Sequence, residues 1–153
     1  MVFSYDHNKS LGYLAGLANR LLSKTLASRF QAAGIDMTAE QWGAILVLLN
    51  SDAVTQGQIA EQLCLEKSSV SRLLDGLERR DWIVRTKDPK DSRLKHVTPT
   101  PKMLEIVEHC ADIARSILKE AQQGTTAEEQ LACQSFLLRI IGNLNVMNKK
   151  EAI

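Results

Sequence analysis

Between Thr55 and Arg80 the chain carries two consecutive helical periods with only a few residues between them to turn in. That constrains the architecture more than any other feature. Thr55-Gln56-Gly57-Gln58 reads as a capping box, in which a Thr hydroxyl and a Gln side chain each satisfy an orphan backbone N–H, opening a short helix with Ile59, Ala60 and Leu63. After Cys64 and Leu65 the apolar period restarts in a new phase. Val70, Leu73, Leu74 and Leu77 stand at i, i+3, i+4 and i+7, so the segment Lys67 to Arg80 is expected to pack by that stripe. At 100° per residue Ser68, Arg72, Asp75 and Arg79 share the opposite side, within about 40° of one another, and Ser69 and Ser71 flank them. Two short helices joined this tightly, the second with a small-hydroxyl and Arg face, form a helix-turn-helix pattern.

The flanking sequence is mostly helical in period. Ser10 to about Ala32 repeats Leu11, Leu14, Leu17 or Ala18, Leu21, Leu22, Leu26 and Phe30, and Gly34 stands at a plausible C′ position. Thr38-Ala39-Glu40-Gln41 is a second capping box before Trp42, Ile45, Leu46, Leu48 and Leu49. Downstream, Trp82–Thr86 and Leu94–Thr98 are β-type runs around the charged segment Lys87 to Arg93, a hairpin with a charged tip. Thr100 with Pro101 at N1 starts a long helix through Met103, Ile106, Val107, Cys110, Ile113, Ile117 and Leu118. Thr126-Ala127-Glu128-Glu129 caps a last helix with Leu131, Leu137, Leu138, Ile140, Ile141 and Leu144. The expected order is four helices, a hairpin and two helices.

Composition supports one compact domain over residues 1–153, or two small lobes. A hydrophobic fraction of 44% with a formal net charge of +1 excludes a disordered chain and one that coats nucleic acid indiscriminately. The charge is nonetheless segregated: Lys67 to Lys102 holds 10 basic and 5 acidic residues, and the rest of the chain holds 9 and 13. Three widely spaced cysteines, Cys64, Cys110 and Cys133, make no disulfide framework or paired Cys-x-x-Cys metal site. No leader or spanning segment is legible, so a cytoplasmic protein away from membranes is expected. The three histidines show no ligand spacing, and no Gly-x-Gly-x-x-Gly, Walker-type loop, Gly-x-Ser-x-Gly or His-Glu-x-x-His occurs, so neither a metal site, a cofactor nor an enzyme is expected.

Gln58 to Arg80 resembles the third helix, turn and recognition helix of the MarR-type winged helix-turn-helix regulators. Asp88-Pro89-Lys90-Asp91-Ser92-Arg93-Leu94-Lys95-His96-Val97-Thr98-Pro99-Thr100 is similar to that family's wing signature, an Asp-x-Arg tip returning to a Leu-Thr strand end. The resemblance covers most of the chain. It departs at Cys64 and Asp81, where the family favours Gly, and at Pro99, which replaces the Leu and is expected to shorten the returning strand. What the resemblance implies is a mainly α fold with a small β-hairpin wing. A DNA-binding lobe would span 38–100, and dimerisation helices 8–34 and 101–150.

The resemblance further implies a double-stranded-DNA-binding transcription regulator, commonly a repressor, acting as a homodimer on a pseudo-palindromic operator and released by a small aromatic or anionic effector. Lys67, Ser68, Ser69, Ser71 and Arg72 are the expected DNA contacts of the recognition helix. Arg72 can donate two hydrogen bonds to guanine, and Ser hydroxyls near a helix N-terminus can join its free N–H groups on phosphate. Lys90, Asp91, Arg93 and Lys95 are the expected wing contacts, Arg93 entering the minor groove while the Asp91 carboxylate orients it. The bland alternatives are a solvated helix face and a surface ion pair of little energy. Tyr13, Arg20 and Trp42 lie in plausible effector regions but read more simply as packing or surface residues. Cys110 and Cys133 read as inert core thiols, and Cys64 as the thiol to test for reactivity. The rival function is a winged-helix protein-interaction module meeting an acidic partner.

Overall fold

The computed structural model describes residues 6–51 and 53–151 and divides into two compact units, with the boundary between Ile117 and Leu118. The first unit opens with a 3-10 turn, His7–Lys9, followed by α1 (Leu11–Ala32), α2 (Ala39–Leu49), β1 (Val54–Thr55), α3 (Gln56–Leu63), α4 (Lys67–Arg79), β2 (Ile83–Lys87) and β3 (Lys95–Pro99). Helix α5 (Pro101–Ala121) begins in this unit and ends in the second, which also holds α6 (Ala127–Glu151). Helices are mainly where their period places them, and both expected capping boxes of this unit form, Thr38 with Gln41 and Thr55 with Gln58.

The core gathers around α4. Val70, Leu73, Leu74 and Leu77 are all buried, against Phe30, Ile45, Ile59, Ile83, Val97 and Met103. Gly76 lets the helix come close to α2: a Cβ there would lie 2.6 Å from Gln41 Nε2, and the same Gln side chain is held by the Thr38 backbone in its capping box. Trp42, buried, meets the Phe30 ring edge-on with centroids 6.0 Å apart, so it is a packing residue.

The sheet differs from the expected hairpin in three ways. Both strands lie one residue later, because Trp82 is taken up by the end of α4. The two-residue β1 adds a third strand, pairing Val54 with Val97 and Thr55 with His96 to give the order β1-β3-β2, all antiparallel. Pro99 does not shorten β3, since it pairs with Ile83. The flanking bond from Thr100 N–H to Trp82 O, 3.0 Å, makes that a non-hydrogen-bonded pair. The N–H that proline lacks would therefore point away from β2, so the β2–β3 ladder loses no bond.

Three helices end in the same Schellman geometry. Ile35, Leu65 and Trp82 donate 6→1 bonds to Phe30, Ala60 and Leu77 at 2.8, 3.0 and 3.1 Å. The left-handed residues between are Gly34 (φ 75°), Cys64 (φ 51°) and Asp81 (φ 58°). Glycine pays no Cβ penalty there and Asp tolerates the conformation, whereas Cys64 is a strained choice at the helix-turn-helix corner.

In the second unit Thr126 and Glu129 form the expected reciprocal cap of α6, with Thr126 N–H on the Glu129 carboxylate at 2.7 Å and Glu129 N–H on the Thr126 hydroxyl at 3.1 Å. The helix buries little. Leu131, Phe136, Leu137, Leu138, Ile141, Leu144, Val146 and Met147 are all exposed, Leu138 at 70%. Cys133 is exposed as well, which corrects its expected place in a core, while Cys110 is buried and its thiol pushed up by that burial. Tyr13 and Arg20 are exposed on α1, where Leu21 is 57% accessible. Among the described residues no helix is long and apolar enough to cross a membrane.

The corner at Cys64 is open to direct test. Cys64→Gly is expected to stabilise the protein by about 0.5–1 kcal/mol, read as a higher urea midpoint at unchanged m-value. An unchanged or lower midpoint would show that the left-handed cysteine carries no strain.

Candidate nucleic-acid interface

The start of α4 differs from the start of every other α-helix. Ser10, Thr38, Thr55, Thr100 and Thr126 each accept a backbone N–H with their hydroxyl at 3.1–3.3 Å, capping α1, α2, α3, α5 and α6. Glu66 stands at the N-cap of α4 and makes no such bond. The first N–H groups of α4 thus remain available to an outside acceptor, at the positive end of the helix dipole. Lys67 and Ser68 are exposed there, Ser69 and Ser71 half-buried, and Arg72 exposed one turn on. A shallow cleft of about 270 Å³ places Lys67 beside Arg93 and Lys95 of the wing, the N-cap Thr55 of α3, and Gln56 and Gly57 in its first turn. Recognition-helix and wing cations therefore face one space.

The wing tip is held by two aspartates with different tasks. Asp88 Oδ1 accepts the N–H groups of Lys90 (2.7 Å) and Asp91 (3.0 Å), and its Oδ2 lies 2.7 Å from His96 Nε2. His96 and these two N–H groups hold the Asp88 carboxyl down at about 2. Asp91 grips Arg93 instead: Nε and Nη2 donate to its two oxygens at 3.0 and 3.1 Å, and the Arg93 backbone N–H adds a third bond of 3.0 Å. These bonds hold the Asp91 carboxyl below its ordinary range. The Arg93 side chain is 89% exposed, so the pair adds little to stability, yet a bidentate grip fixes the direction of the guanidinium. Asp91 and Arg93 are thus brought together as the sequence anticipates.

Three other cations on this lobe, Arg80, Lys102 and Arg85, are tied down. Arg80 pairs with Asp36, donates to Gly76 O at 2.7 Å and lies over the Trp82 ring at 5.7 Å, while Lys102 donates to the Arg80 carbonyl at 2.8 Å. Arg85 of β2 is engaged by both Asp75 and Glu78 of α4. By contrast, Lys67, Arg72, Lys90 and Lys95 form no ion pair among the described residues. The polar face of α4 is therefore graded. Its first two turns present unpaired cations and hydroxyls, and its last two carry carboxylates turned to a neighbouring strand, with Arg79 exposed at the end and without an ion pair among the described residues. Asp88, Glu78 and Arg85 were not among the expected site residues; the spacing of Asp88 two and three residues before the tip N–H groups is the local signal that could have marked it.

Three helices, a helix-turn-helix corner and a β-hairpin arm define a winged helix-turn-helix protein. The MarR family model matches residues 35–94, from the end of the α1–α2 turn to the wing tip. The crystal structure of the transcriptional regulator PA3341 superposes with a TM-score of 0.75 at 31% identity, over 89% of this chain and 98% of that one. The multiple antibiotic resistance protein MarR of Salmonella typhimurium is 25% identical over 132 residues, 86% of this chain and 90% of the relative. The repressor CouR, solved bound to a 23-mer DNA duplex, has a TM-score of 0.79 at 21% identity, covering 92% and 99% of the two chains. The chain belongs to the MarR family, whose members are DNA-binding transcription regulators.

The wing's acid response follows from Asp88. Its carboxyl titrates at about 2 in the folded wing against an ordinary value of 3.8, so the unfolded chain binds that proton more readily. The stabilisation it provides is complete above the ordinary value and is lost as pH falls through the folded one. A carboxyl-resolved NMR titration should find the Asp88 midpoint near 2. A midpoint at the ordinary value would mean that the tip hydrogen bonds do not hold in solution.

Proposed function

We propose that the chain is a sequence-specific regulator, most simply a repressor, that binds a pseudo-palindromic site in double-stranded DNA as a homodimer and is released by a small-molecule effector. The observation that carries this reading is the shared presentation of the uncapped α4 N-terminus, with Lys67, Ser68, Ser69 and Arg72, and of the Asp91-oriented Arg93 at the wing tip. In this reading Arg72 enters the major groove and donates to guanine O6 and N7, with Ser68, Ser69 and Ser71 beside it. The open N–H groups and Lys67, Lys90 and Lys95 meet phosphates, which set affinity and register. Arg93 enters the minor groove, where A·T-rich narrowing deepens the negative potential.

Dimerisation is supported by the apolar side chains that α1 and α6 leave exposed, from Leu11, Leu14 and Leu21 to Leu138, Ile141 and Met147. A two-fold pair of recognition helices would read half-sites about 34–36 Å apart. For an effector, a cleft of about 360 Å³ lies between α1 and α2 beside the helix-turn-helix corner, lined by Leu22, Leu26, Gly43, Leu63 and Leu65 with Asn19, Ser23 and Glu40. Its size suits a small aromatic molecule. Its one charged lining residue is an acid, which disfavours an anion at that position.

Selection from a randomised duplex pool tests the proposal. Enriched duplexes should share a two-fold motif, and binding should fall steeply with salt, by about −0.9 in log–log slope per phosphate neutralised. Arg93→Ala and Asp91→Ala should each weaken the selected duplex by roughly tenfold, although the second removes a negative charge. Light scattering should give a dimer mass. Equal, weak binding to selected and randomised DNA would instead favour a protein-interaction module, and an Asp91→Ala variant of unchanged affinity would remove the orienting role.

A further inference from the structure

Strand β2 is an edge of the sheet, and one of its outward backbone donors is closed by a side chain of α4. Arg85 pairs with Val97 two residues along from the Ile83–Pro99 pair, so it too is a non-hydrogen-bonded position whose N–H points away from β3. Glu78 Oε1 accepts that N–H at 3.2 Å. The Arg85 side chain lies on the same face as buried Ile83, is only 12% exposed, and returns the contact: its Nε donates to Glu78 Oε2 at 3.1 Å, and its Nη2 to Glu78 Oε2 and to Asp75 Oδ1 at 2.5 Å each. Asp75 and Glu78 are one turn apart on α4, and Asp75 is one turn from Arg72. The cleft they border, about 810 Å³ and open to solvent, is lined by Arg72, Asp75, Glu78, Arg79 and Arg85.

We propose that Arg85, Asp75 and Glu78 form a clamp that fixes α4 relative to the wing, and so sets the spacing between Arg72 and Arg93 on which discrimination between DNA sequences depends. The inference rests on the DNA-binding reading of the same face. It assigns Asp75 and Glu78 a task opposite to the one their charge suggests. Two carboxylates beside Arg72 repel phosphate and by charge alone only weaken binding. Held to an inward-facing guanidinium and a sheet-edge N–H, they lock a helix to a strand with directional bonds. Arg85 is a positioning residue: its guanidinium is committed to the two carboxylates and is not exposed as a phosphate contact would be.

Charge and positioning give opposite signs in a pair of variants, Arg85→Met, which keeps much of the apolar stem, and Asp75→Ala/Glu78→Ala. If the three residues act only through charge, Arg85→Met weakens and Asp75→Ala/Glu78→Ala tightens binding to all DNA, with the ratio of selected to scrambled duplex unchanged. The clamp requires both variants to lose that ratio, by about tenfold or more, the discrimination of one bidentate base contact. In the DNA-free protein the clamp also requires the Arg85 amide to exchange about tenfold faster or more in Asp75→Ala/Glu78→Ala, as one lost hydrogen bond implies. Unchanged Arg85 exchange, or a preserved ratio with tighter overall binding, overturns the clamp. If the wild-type protein itself does not distinguish the two duplexes, the DNA-binding reading fails, and amide exchange still decides whether α4 and the wing are locked.

Discussion

Burial of one stripe of α4 is the constraint on which the rest of the molecule depends. Val70, Leu73, Leu74 and Leu77 each stabilise by roughly 1.5–3 kcal/mol when taken from water, an upper estimate because the unfolded chain already hides part of that surface. No exposed ion pair on the opposite face approaches that, at about 0–1 kcal/mol each. The rotation of α4 is therefore set by its core side. Its polar side, with Ser68, Arg72, Asp75 and Arg79, is presented to solvent as a consequence. The absent Cβ of Gly76 lets α2 come close behind it, and the Schellman end at Asp81 turns the chain into the sheet, so recognition helix and wing are placed by the same packing event.

Electrostatics then refines that arrangement. The segment from Lys67 to Lys102 carries the excess of base, but its cations fall into two groups. Arg80, Arg85 and Arg93 are each held by a carboxylate, whereas Lys67, Arg72, Arg79, Lys87, Lys90, Lys95 and Lys102 form no ion pair among the described residues. The held arginines fix helix end, strand and tip, and the others remain available to an anion. Near-neutrality of the whole chain comes from the rest of the sequence, where 13 acidic residues outnumber 9 basic ones. A uniformly basic surface would bind any duplex, whereas a basic strip bounded by clamped acids favours one orientation.

Much of the fold was legible because its determinants are local. Capping boxes at Thr38, Thr55 and Thr126 and the stripe of α4 depend on residues three or four apart, and each element lies where those spacings put it. What escaped is non-local or too short for a period. Two residues, Val54 and Thr55, carry no strand signal and become β1 only because Val97 and His96 offer an edge. Pro99 was misjudged because its cost depends on which side of β3 its missing donor would face. Arg85 was passed over because an Arg at an inward strand position reads as a defect until Asp75 and Glu78 are seen beside it. Asp91 and Arg93 were readable, being two residues apart at a tip; what they touch beyond the protein is not encoded in that spacing. Cys133 was placed in a core from its nearness to an apolar stripe, but α6 exposes most of that stripe, only Ile140 being half-buried.

The central claim is that α4 and the wing address two different grooves of one duplex. Methylation interference on the selected duplex tests it directly, because dimethyl sulfate marks guanine N7 in the major groove and adenine N3 in the minor groove. The account predicts interference from guanine N7 at two sites about one helical turn apart, where Arg72 donates, together with adenine N3 interference in the adjoining minor grooves, where Arg93 enters. Binding indifferent to both modifications would contradict it.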